Sequence, residues 1–317
     1  MDMNLLKYLA FVKTAETGSF TRASLLLHYS QSGISRMVND LEKEWGITLL
    51  RRSRTGVKPT PDGARLLPYA RNLCAEYQKL QSIAGELQGL QFGLIRIGTF
   101  SSVATHWLPN MICAFQRDYP NIDFEILMGD YPEIEQWILQ GRADFGFLHL
   151  PTRPELAVTE LARDELMVVL PEEHPLARLE KVPVAALAEQ PFILLDKAGN
   201  RDREVMQVFE QAGTAPRVRF TTLDDYAVMS MVEHGLGVSI LPQLVLRRIP
   251  YRVALRPLDR PAFRRIGLAT RPGEELAPAA SRFLAYLPYR DGKTLSEKKN
   301  NVFCGCALRK TENYCII

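Results

Sequence analysis

The chain has 317 residues, which is enough for two or three compact domains. Hydrophobic residues make up 46% and charged residues 24% of the chain, a balance that excludes an intrinsically disordered or fibrous protein. The net charge of +3 is concentrated near the N-terminus, because residues 1–92 carry 12 Lys or Arg against 8 Asp or Glu, and the other residues carry 27 against 28.

The chain start and the cysteines indicate a compartment. Met1-Asp2-Met3-Asn4 lacks the basic segment of a secretory signal, and no apolar run approaches the roughly 18 residues of a membrane span. Five scattered cysteines do not form a disulfide framework. We therefore expect a cytoplasmic protein without membrane contact.

Residues 21–42 predict two short helices joined by a tight turn. Thr21 is placed to cap the first helix and Ser30 the second. In the second helix Ile34, Val38 and Leu41 recur at helical spacing and form a buried stripe. The opposite face has groups that can hydrogen-bond base edges in a major groove, namely Gln31, Ser32, Ser35, Arg36 and Asn39. Alone, such a face is more often a solvated helix surface.

Residues 49–60 predict a basic hairpin directly after this helix pair. Its turn contains Gly56, and its basic side chains are Arg51, Arg52, Arg54 and Lys58. A wing beside a recognition helix would set such side chains against phosphates or a minor groove. An isolated charge run would be ordinary surface, but next to the helix pair it favours DNA binding.

A long helix is predicted after the hairpin, because Thr60-Pro61-Asp62 supplies a cap, a first-turn proline and an acid. Its apolar residues recur at spacings of four and three: Leu66, Ala70, Leu73, Tyr77, Leu80, Ala84 and Leu87. The stripe packs against the chain's own core or against the same helix of a second subunit. Pairing is favoured, because dimeric helix-turn-helix proteins read two half-sites.

From Leu94 onward short apolar runs alternate with helical segments, which predicts an α/β domain with mainly parallel sheets. The runs are residues 94–98, 124–128, 145–148, 166–170, 192–195, 218–221, 238–241 and 266–270. A break at residues 151–164 suggests two lobes, and the last run and helix predict a return to the first. Ser101 and Ser102 follow the first strand at a helix start, where they either bind an anion such as a carboxylate or simply cap the helix.

Residues 5–63 resemble the N-terminal domain of the LysR-type transcriptional regulators. The resemblance is carried by Gly18-Ser19-Phe20, Ala23, Ser30-Gln31, Ser35-Arg36, Leu41-Glu42, Leu49-Leu50, Arg52 and Thr60-Pro61-Asp62-Gly63. It implies DNA contacts by Gln31, Ser32, Ser35 and Arg36 from the recognition helix and by Arg52, Arg54 and Lys58 from the wing. It also implies dimers formed through the linker helix and tetramers built from them.

Residues 93–287 are similar to the effector domain of the same family, a two-lobed fold like that of periplasmic solute-binding proteins. The matching residues are Leu108-Pro109, Tyr119-Pro120, Gly141, Asp144, His174-Pro175-Leu176, Gly235-Leu236-Gly237-Val238 and Leu241-Pro242. The resemblance implies an effector cleft lined by Ser101, Ser102, Met128, Gly129, Phe147, Leu148, Lys197 and Thr222.

The predicted fold is therefore an α/β effector domain, two-lobed and periplasmic-binding-protein-like, preceded by an all-α winged helix-turn-helix domain and a long linker helix. Residues 1–60 form the DNA-binding domain and 61–90 the linker helix. Residues 93–164 with 266–288 form lobe I and 165–265 lobe II, and residues 291–317 form a loosely ordered tail.

The predicted function is transcription regulation modulated by a small-molecule effector, which Ser101, Ser102 and Lys197 suggest is anionic. The expected partners are double-stranded operator DNA, further copies of the chain and RNA polymerase, with no cofactor or metal. An enzyme or a small-molecule-binding protein using the cleft is the alternative. However, the five His residues have no metal-ligand spacing, no GxSxG or glycine-rich phosphate loop occurs, and Cys304-Gly305-Cys306 lacks a second cysteine pair.

Overall fold

The computed structural model describes residues 5–53, 56–87, 93–197, 200–201 and 203–292. The predicted tail, apart from its first two residues, lies outside this part of the chain. The N-terminal elements are α1 (Leu5–Thr17), α2 (Phe20–Leu27), α3 (Gln31–Trp45), β1 (Leu50–Ser53) and β2 (Gly56–Pro59), followed by the linker helix α4 (Pro61–Leu87).

The N-terminal core forms as the helical periodicity predicts. Ile34, Val38 and Leu41 of α3 are buried together with Phe11 of α1 and Phe20 of α2. The predicted cap of α2 is wrong, however. Ser19, not Thr21, accepts from the Arg22 amide, and α2 begins at Phe20 because that side chain belongs to the core.

Helix α4 begins as predicted and then packs against its own domain. The Thr60 hydroxyl accepts from the Gly63 amide at 2.9 Å. Leu67, Ala70 and Cys74 are buried in the N-terminal core, and Leu66 packs against it. The first turns of the helix therefore complete the core of their own subunit, which covers Ala70 of the predicted dimer seam and packs against the half-buried Leu66.

The remaining elements form the two-lobed α/β unit. In chain order they are β3 (Gly93–Thr99), α5 (Ser101–His106), α6 (Leu108–Asp118), β4 (Ile122–Met128), α7 (Tyr131–Leu139), β5 (Phe145–His149), β6 (Ala157–Pro171), α8 (Val184–Ala188), β7 (Pro191–Lys197), β8 (Asn200–Arg201), α9 (Arg203–Gln211), β9 (Arg217–Thr222), α10 (Asp225–Glu233), β10 (Ser239–Pro242), β11 (Val253–Pro257), β12 (Phe263–Thr270) and α11 (Pro278–Leu284). Short 3-10 helices span Pro175–Arg178 and Leu287–Asp291.

Each of the eight predicted apolar runs falls on an observed strand, whereas the short strands β8 and β11 are not foreshadowed by any run. The predicted fold class is confirmed, but the expectation of mainly parallel sheets is wrong, because antiparallel pairings outnumber parallel ones among the described strands of this unit. Strand β3 pairs in parallel with β4 and β5, and β12 pairs antiparallel with β5 and β6. In the other lobe β7 is parallel to β9 and antiparallel to β8.

Strand β6 runs through both lobes. Its first part, up to Glu165, pairs with β12, and its last part pairs with β10 and β11. The predicted break at residues 151–164 is therefore wrong from Ala157 onward. The first part of this strand was not predicted, because residues 157–160 are exposed and give no apolar run.

Each lobe has its own core. Lobe I buries Ile95, Phe115 and Phe145, with Phe283 of α11 packed among them after the chain returns from lobe II. Lobe II buries Phe192 and Phe209 with further apolar residues of β6 and β10. No helix in the described ranges combines the length and apolarity that a bilayer crossing requires.

Candidate DNA-binding face and effector cavity

The predicted recognition helix is α3, and its outer face carries the predicted residues. The Ser30 hydroxyl caps the helix by accepting from the Gly33 amide at 3.0 Å, and Gly46 ends it in the left-handed conformation. Gln31, Ser32, Arg36 and Asn39 are exposed and Ser35 is half-buried. Helical spacing places the five on one side, opposite the buried stripe.

Arg36 protrudes from the outer face of α3 and forms a long ion pair. Its side chain is 85% exposed, and its ion pair with Asp40 is long, at 3.9 Å. Such an exposed pair is worth little, so Arg36 is available for another acceptor.

The wing is fixed to α3 by contacts that the residue pattern does not reveal. Glu42 accepts from the Leu49 amide at 2.6 Å and the Leu50 amide at 3.0 Å. A Cβ at Gly63 would lie 2.0 Å from the Leu49 carbonyl oxygen, so only glycine fits where α4 leaves the wing. The wing therefore has a defined position beside the recognition helix.

The basic side chains of the wing fall into two groups. Arg51 lies opposite Lys58 in the hairpin register, and both are exposed. Arg52 lies opposite Val57 and donates to the Ser35 hydroxyl at 2.7 Å. The predicted contact Arg54 lies outside the described residues.

A cavity of about 500 Å³ lies between the two lobes. Lobe I contributes the ends of β3, β4 and β5, and lobe II contributes β7 and the starts of α9 and α10. Its polar lining includes Ser101, Asp130, Tyr131, Glu135, His149, Thr152, Arg153, Arg203, Glu204, Asp225 and Arg264. Ser101 and Gly129 are the predicted cleft residues that line it.

The other predicted cleft residues lie elsewhere. Phe147 and Leu148 are fully buried in the core of lobe I, because β5 is covered on both faces and only its end, His149, reaches the cavity. Met128 is 58% exposed on the surface and does not line the cavity. Thr222 ends β9 away from the lining, and Lys197 ends β7 with its side chain outside the described part.

Ser102 faces a buried charge beside the cavity. Its hydroxyl accepts from Arg264 at 3.1 Å, and Arg264 also donates to Asp164 at 2.5 Å. Burial alone would lower the pKa of Arg264, but Tyr131 and the Asp164 carboxylate outweigh it and raise that pKa. Arg264 is therefore a permanent cation, a role that the sequence pattern did not indicate.

Among the described residues, polar contacts also join the lobes across the cavity. Ser101 of lobe I donates to Asp225 of lobe II at 3.1 Å. His149 of lobe I lies 2.8 Å from Glu204 of lobe II. A bound molecule that replaces either contact would change how the lobes are held together.

The linker helix has an exposed apolar stripe in its later turns. Tyr77 and Leu80 of the predicted seam are 41% and 61% exposed, and Tyr69 and Ile83 add 74% and 39%. Leu73 is half-buried, and Ala84 lines a second cavity of about 560 Å³ between α4 and lobe I. The side chain of Leu87 lies outside the described part.

Metal and thiol chemistry have little support in the described ranges. No group of three or more His, Cys, Asp or Glu side chains there is arranged to hold a metal ion. Burial raises the pKa of the Cys74 thiol to about 11, so this thiol stays protonated and is a poor nucleophile. Cys304, Cys306 and Cys315 lie outside the described residues.

Comparison with known proteins places both parts of the chain in one family. Residues 5–64 match the model of the bacterial regulatory helix-turn-helix protein, lysR family, and residues 88–290 match the LysR substrate binding domain. The chain is 35% identical to the probable HTH-type transcriptional regulator LrrA of Synechococcus elongatus, over 90% of this chain and 96% of that protein. It is 31% identical to the uncharacterized HTH-type transcriptional regulator YvbU of Bacillus subtilis, over 89% and 97%.

Solved structures share the fold. A full-length variant of OxyR from Pseudomonas aeruginosa superposes with a TM-score of 0.71 at 22% identity, covering 91% of this chain and 95% of the OxyR chain. Full-length CbnR, solved with its target DNA, gives 0.66 at 23% identity, covering 90% and 99%. The family models and relatives describe regulators rather than enzymes, and the chain belongs to the LysR family of DNA-binding transcription regulators with an effector-binding domain.

Proposed function

We propose that this regulator reads an operator with two copies of α3 and the wing, and that an anionic small molecule in the inter-lobe cavity modulates the response. The observation that carries the proposal is the capped helix α3, whose polar outer face is exposed beside a basic wing. Chromosomal DNA as the target implies a cytoplasmic protein.

The proposed DNA contacts divide by chemistry. Gln31, Arg36 and Asn39 have side chains that pair with base edges by two hydrogen bonds, with Arg favouring guanine and the amides favouring adenine. Ser32 and Ser35 add hydroxyls. Lys58 and Arg54 of the wing would contact phosphates, which position the protein without reading sequence.

A second copy of the chain is the proposed partner of the linker helix. Tyr69, Tyr77, Leu80 and Ile83 are large apolar side chains exposed along one helix, as expected of a surface that is covered in a dimer. The dimer would present two recognition helices to two half-sites. We further propose that dimers join into tetramers and that the bound regulator contacts RNA polymerase.

The proposed effector is a small carboxylate. The cavity has the volume of a metabolite site, and its lining includes the exposed Arg203 together with Arg153 and Arg264. The Ser101 hydroxyl can serve the same anion. Binding must favour one arrangement of the subunits by about 1 to 3 kcal/mol to give ordinary coupling.

Duplex binding across a salt series tests the DNA role. We expect affinity to fall steeply with salt, because Lys and Arg replace counterions on the phosphates. Arg36→Ala should weaken binding to a specific duplex about 5- to 150-fold, the range of a lost base contact of roughly 1 to 3 kcal/mol. The matched control is Arg178→Ala, an exposed arginine of lobe II, which should bind like the wild type. Equal binding by both variants would refute the assignment of the α3 face.

A further inference from the structure

Arg52 of β1 contacts two helices of the N-terminal domain. Its Nη2 donates to the Ser35 hydroxyl of α3 at 2.7 Å. Its guanidinium carbon lies 4.4 Å from the centroid of the Phe20 ring, at the start of α2. The Phe20 ring is only 6% exposed, so Arg52 packs over the edge of the domain core.

The hairpin register explains why Arg52 differs from its neighbours. Side chains alternate between the two faces of a strand, and paired residues share a face. Arg51 and Lys58 are paired and exposed. Arg52 is paired with Val57, which packs against the N-terminal core. Arg52 is itself exposed, like Arg51 and Lys58, but it is on the face of the wing that is turned toward the helices.

Backbone contacts hold the wing where this hydrogen bond can form. The Val57 amide donates to the Gly18 carbonyl at 2.9 Å, and Glu42 accepts from the first residues of the wing. A Cβ at Gly56 would lie 2.9 Å from the same Gly18 oxygen. The wing, the turn before α2 and the recognition helix thus form one tightly connected unit.

We propose that Arg52 is a positioning residue that sets the hydroxyl of Ser35 for base reading, and not one of the phosphate contacts. This inference rests on the proposed DNA role of α3. Guanidinium can only donate, so the Ser35 oxygen must accept from it. The Ser35 hydrogen then remains for an acceptor on a base edge, such as guanine O6 or N7 or thymine O4. The Ser35 hydroxyl then acts as a hydrogen-bond donor to the base, and its contact with Arg52 sets the direction in which it donates.

The test uses the full chain and a duplex enriched by the wild type from random sequences. Dissociation constants are measured over a salt series for this duplex and for variants with one base pair changed. The protein variants are Arg52→Ala, Arg52→Gln, Ser35→Ala and the double variant Arg52→Ala with Ser35→Ala. Lys58→Ala is the matched control for a phosphate contact, and thermal melting confirms that each variant is folded.

We expect Arg52→Ala and Ser35→Ala to lose preference at the same base pair of each half-site, and the double variant to lose no more than either one. The salt slope should stay unchanged for Arg52→Ala, whereas Lys58→Ala should weaken all duplexes alike and reduce the slope by about 1 per half-site. Arg52→Gln, which keeps a donor without the charge, should retain part of the preference. If Arg52 only stabilised the fold, Arg52→Ala would lower the affinity for all duplexes and leave the base-pair preference unchanged. That result would overturn the inference.

The inference is overturned if Arg52→Ala reduces the salt slope as Lys58→Ala does, or if Arg52 and Ser35 affect different base pairs. In either of these cases, a wild type that still prefers one DNA sequence would continue to support the proposed function. A wild type that enriches no duplex would overturn the proposed function as well, so the two failures are distinguishable.

Discussion

The adjacent hydroxyls of Ser101 and Ser102 have different surroundings. Ser101 lines the cavity and donates to Asp225, whereas Ser102 is 4% exposed and accepts from the buried Arg264. The sequence predicts that both lie near the cleft, because polar residues follow a buried strand. It cannot separate them, since Asp225 and Arg264 are more than 100 residues away along the chain.

Ser102→Ala should lower the free energy of unfolding by about 1 to 3 kcal/mol, because it removes a hydrogen-bond partner from a buried cation. Urea denaturation measures the difference. Ser101→Ala is the control, since its hydroxyl faces the cavity, and it should cost less. A larger loss for Ser101→Ala would contradict the assigned surroundings.

Among the elements, helix α4 shows which structural features the spacing of apolar residues can predict and which it cannot. Spacings of four and three correctly predict a long amphipathic helix. They do not say what covers each turn, because the same spacing suits an intramolecular core and a partner helix. Ala70 is buried in its own domain, while Leu80, three turns later, is exposed. The packing of recognition helix α3 is simpler to predict, because its single apolar stripe packs against a single core, that of the N-terminal domain.

Leu80→Asp should dissociate the proposed dimer, because a carboxylate would be buried in the apolar contact at a cost of several kcal/mol. Sedimentation at micromolar concentrations would report the change in mass. Gln81→Asp, one residue along the same helix, is the control and should leave the mass unaltered. A dimer that persists equally in both variants would show that Leu80 lies outside the contact.

Across the whole molecule, Arg71 of α4 connects the DNA-binding domain to the effector domain. It donates to Glu16 of α1 at 3.2 Å and to Gln140, at the end of α7, at 2.6 Å. Burial lowers the pKa of the Arg71 guanidinium, and the neighbouring Glu16 carboxylate opposes this shift. Lys79 adds a second link, to the Glu275 carbonyl at 2.5 Å.

Because coupling between sites is reciprocal, DNA bound by α3 should change lobe I through this link. We expect DNA to slow hydrogen exchange of amides near Gln140 in the wild type, and Arg71→Ala to diminish that change while retaining DNA affinity. Arg65→Ala, an exposed arginine of α4, is the control. An undiminished change in Arg71→Ala would exclude this route.

The order of domains and the alternation of strands and helices were predictable, because local patterns determine them. The charged contacts were not. His149 and Glu204 meet between lobes although 55 positions separate them, and nothing local marks either residue as half of a pair. The residue at the end of β5 was nevertheless accessible to prediction, since parallel strands direct their carboxyl ends toward ligand sites.

Selection of bound duplexes from a random-sequence pool measures operator reading by α3 most directly. The wild type at low ionic strength should enrich a sequence with two related half-sites, about one helical turn or a multiple apart. Arg36→Ala should fail to enrich it. A pool that stays random after repeated selection with the wild type would contradict the reading of DNA by the outer face of α3.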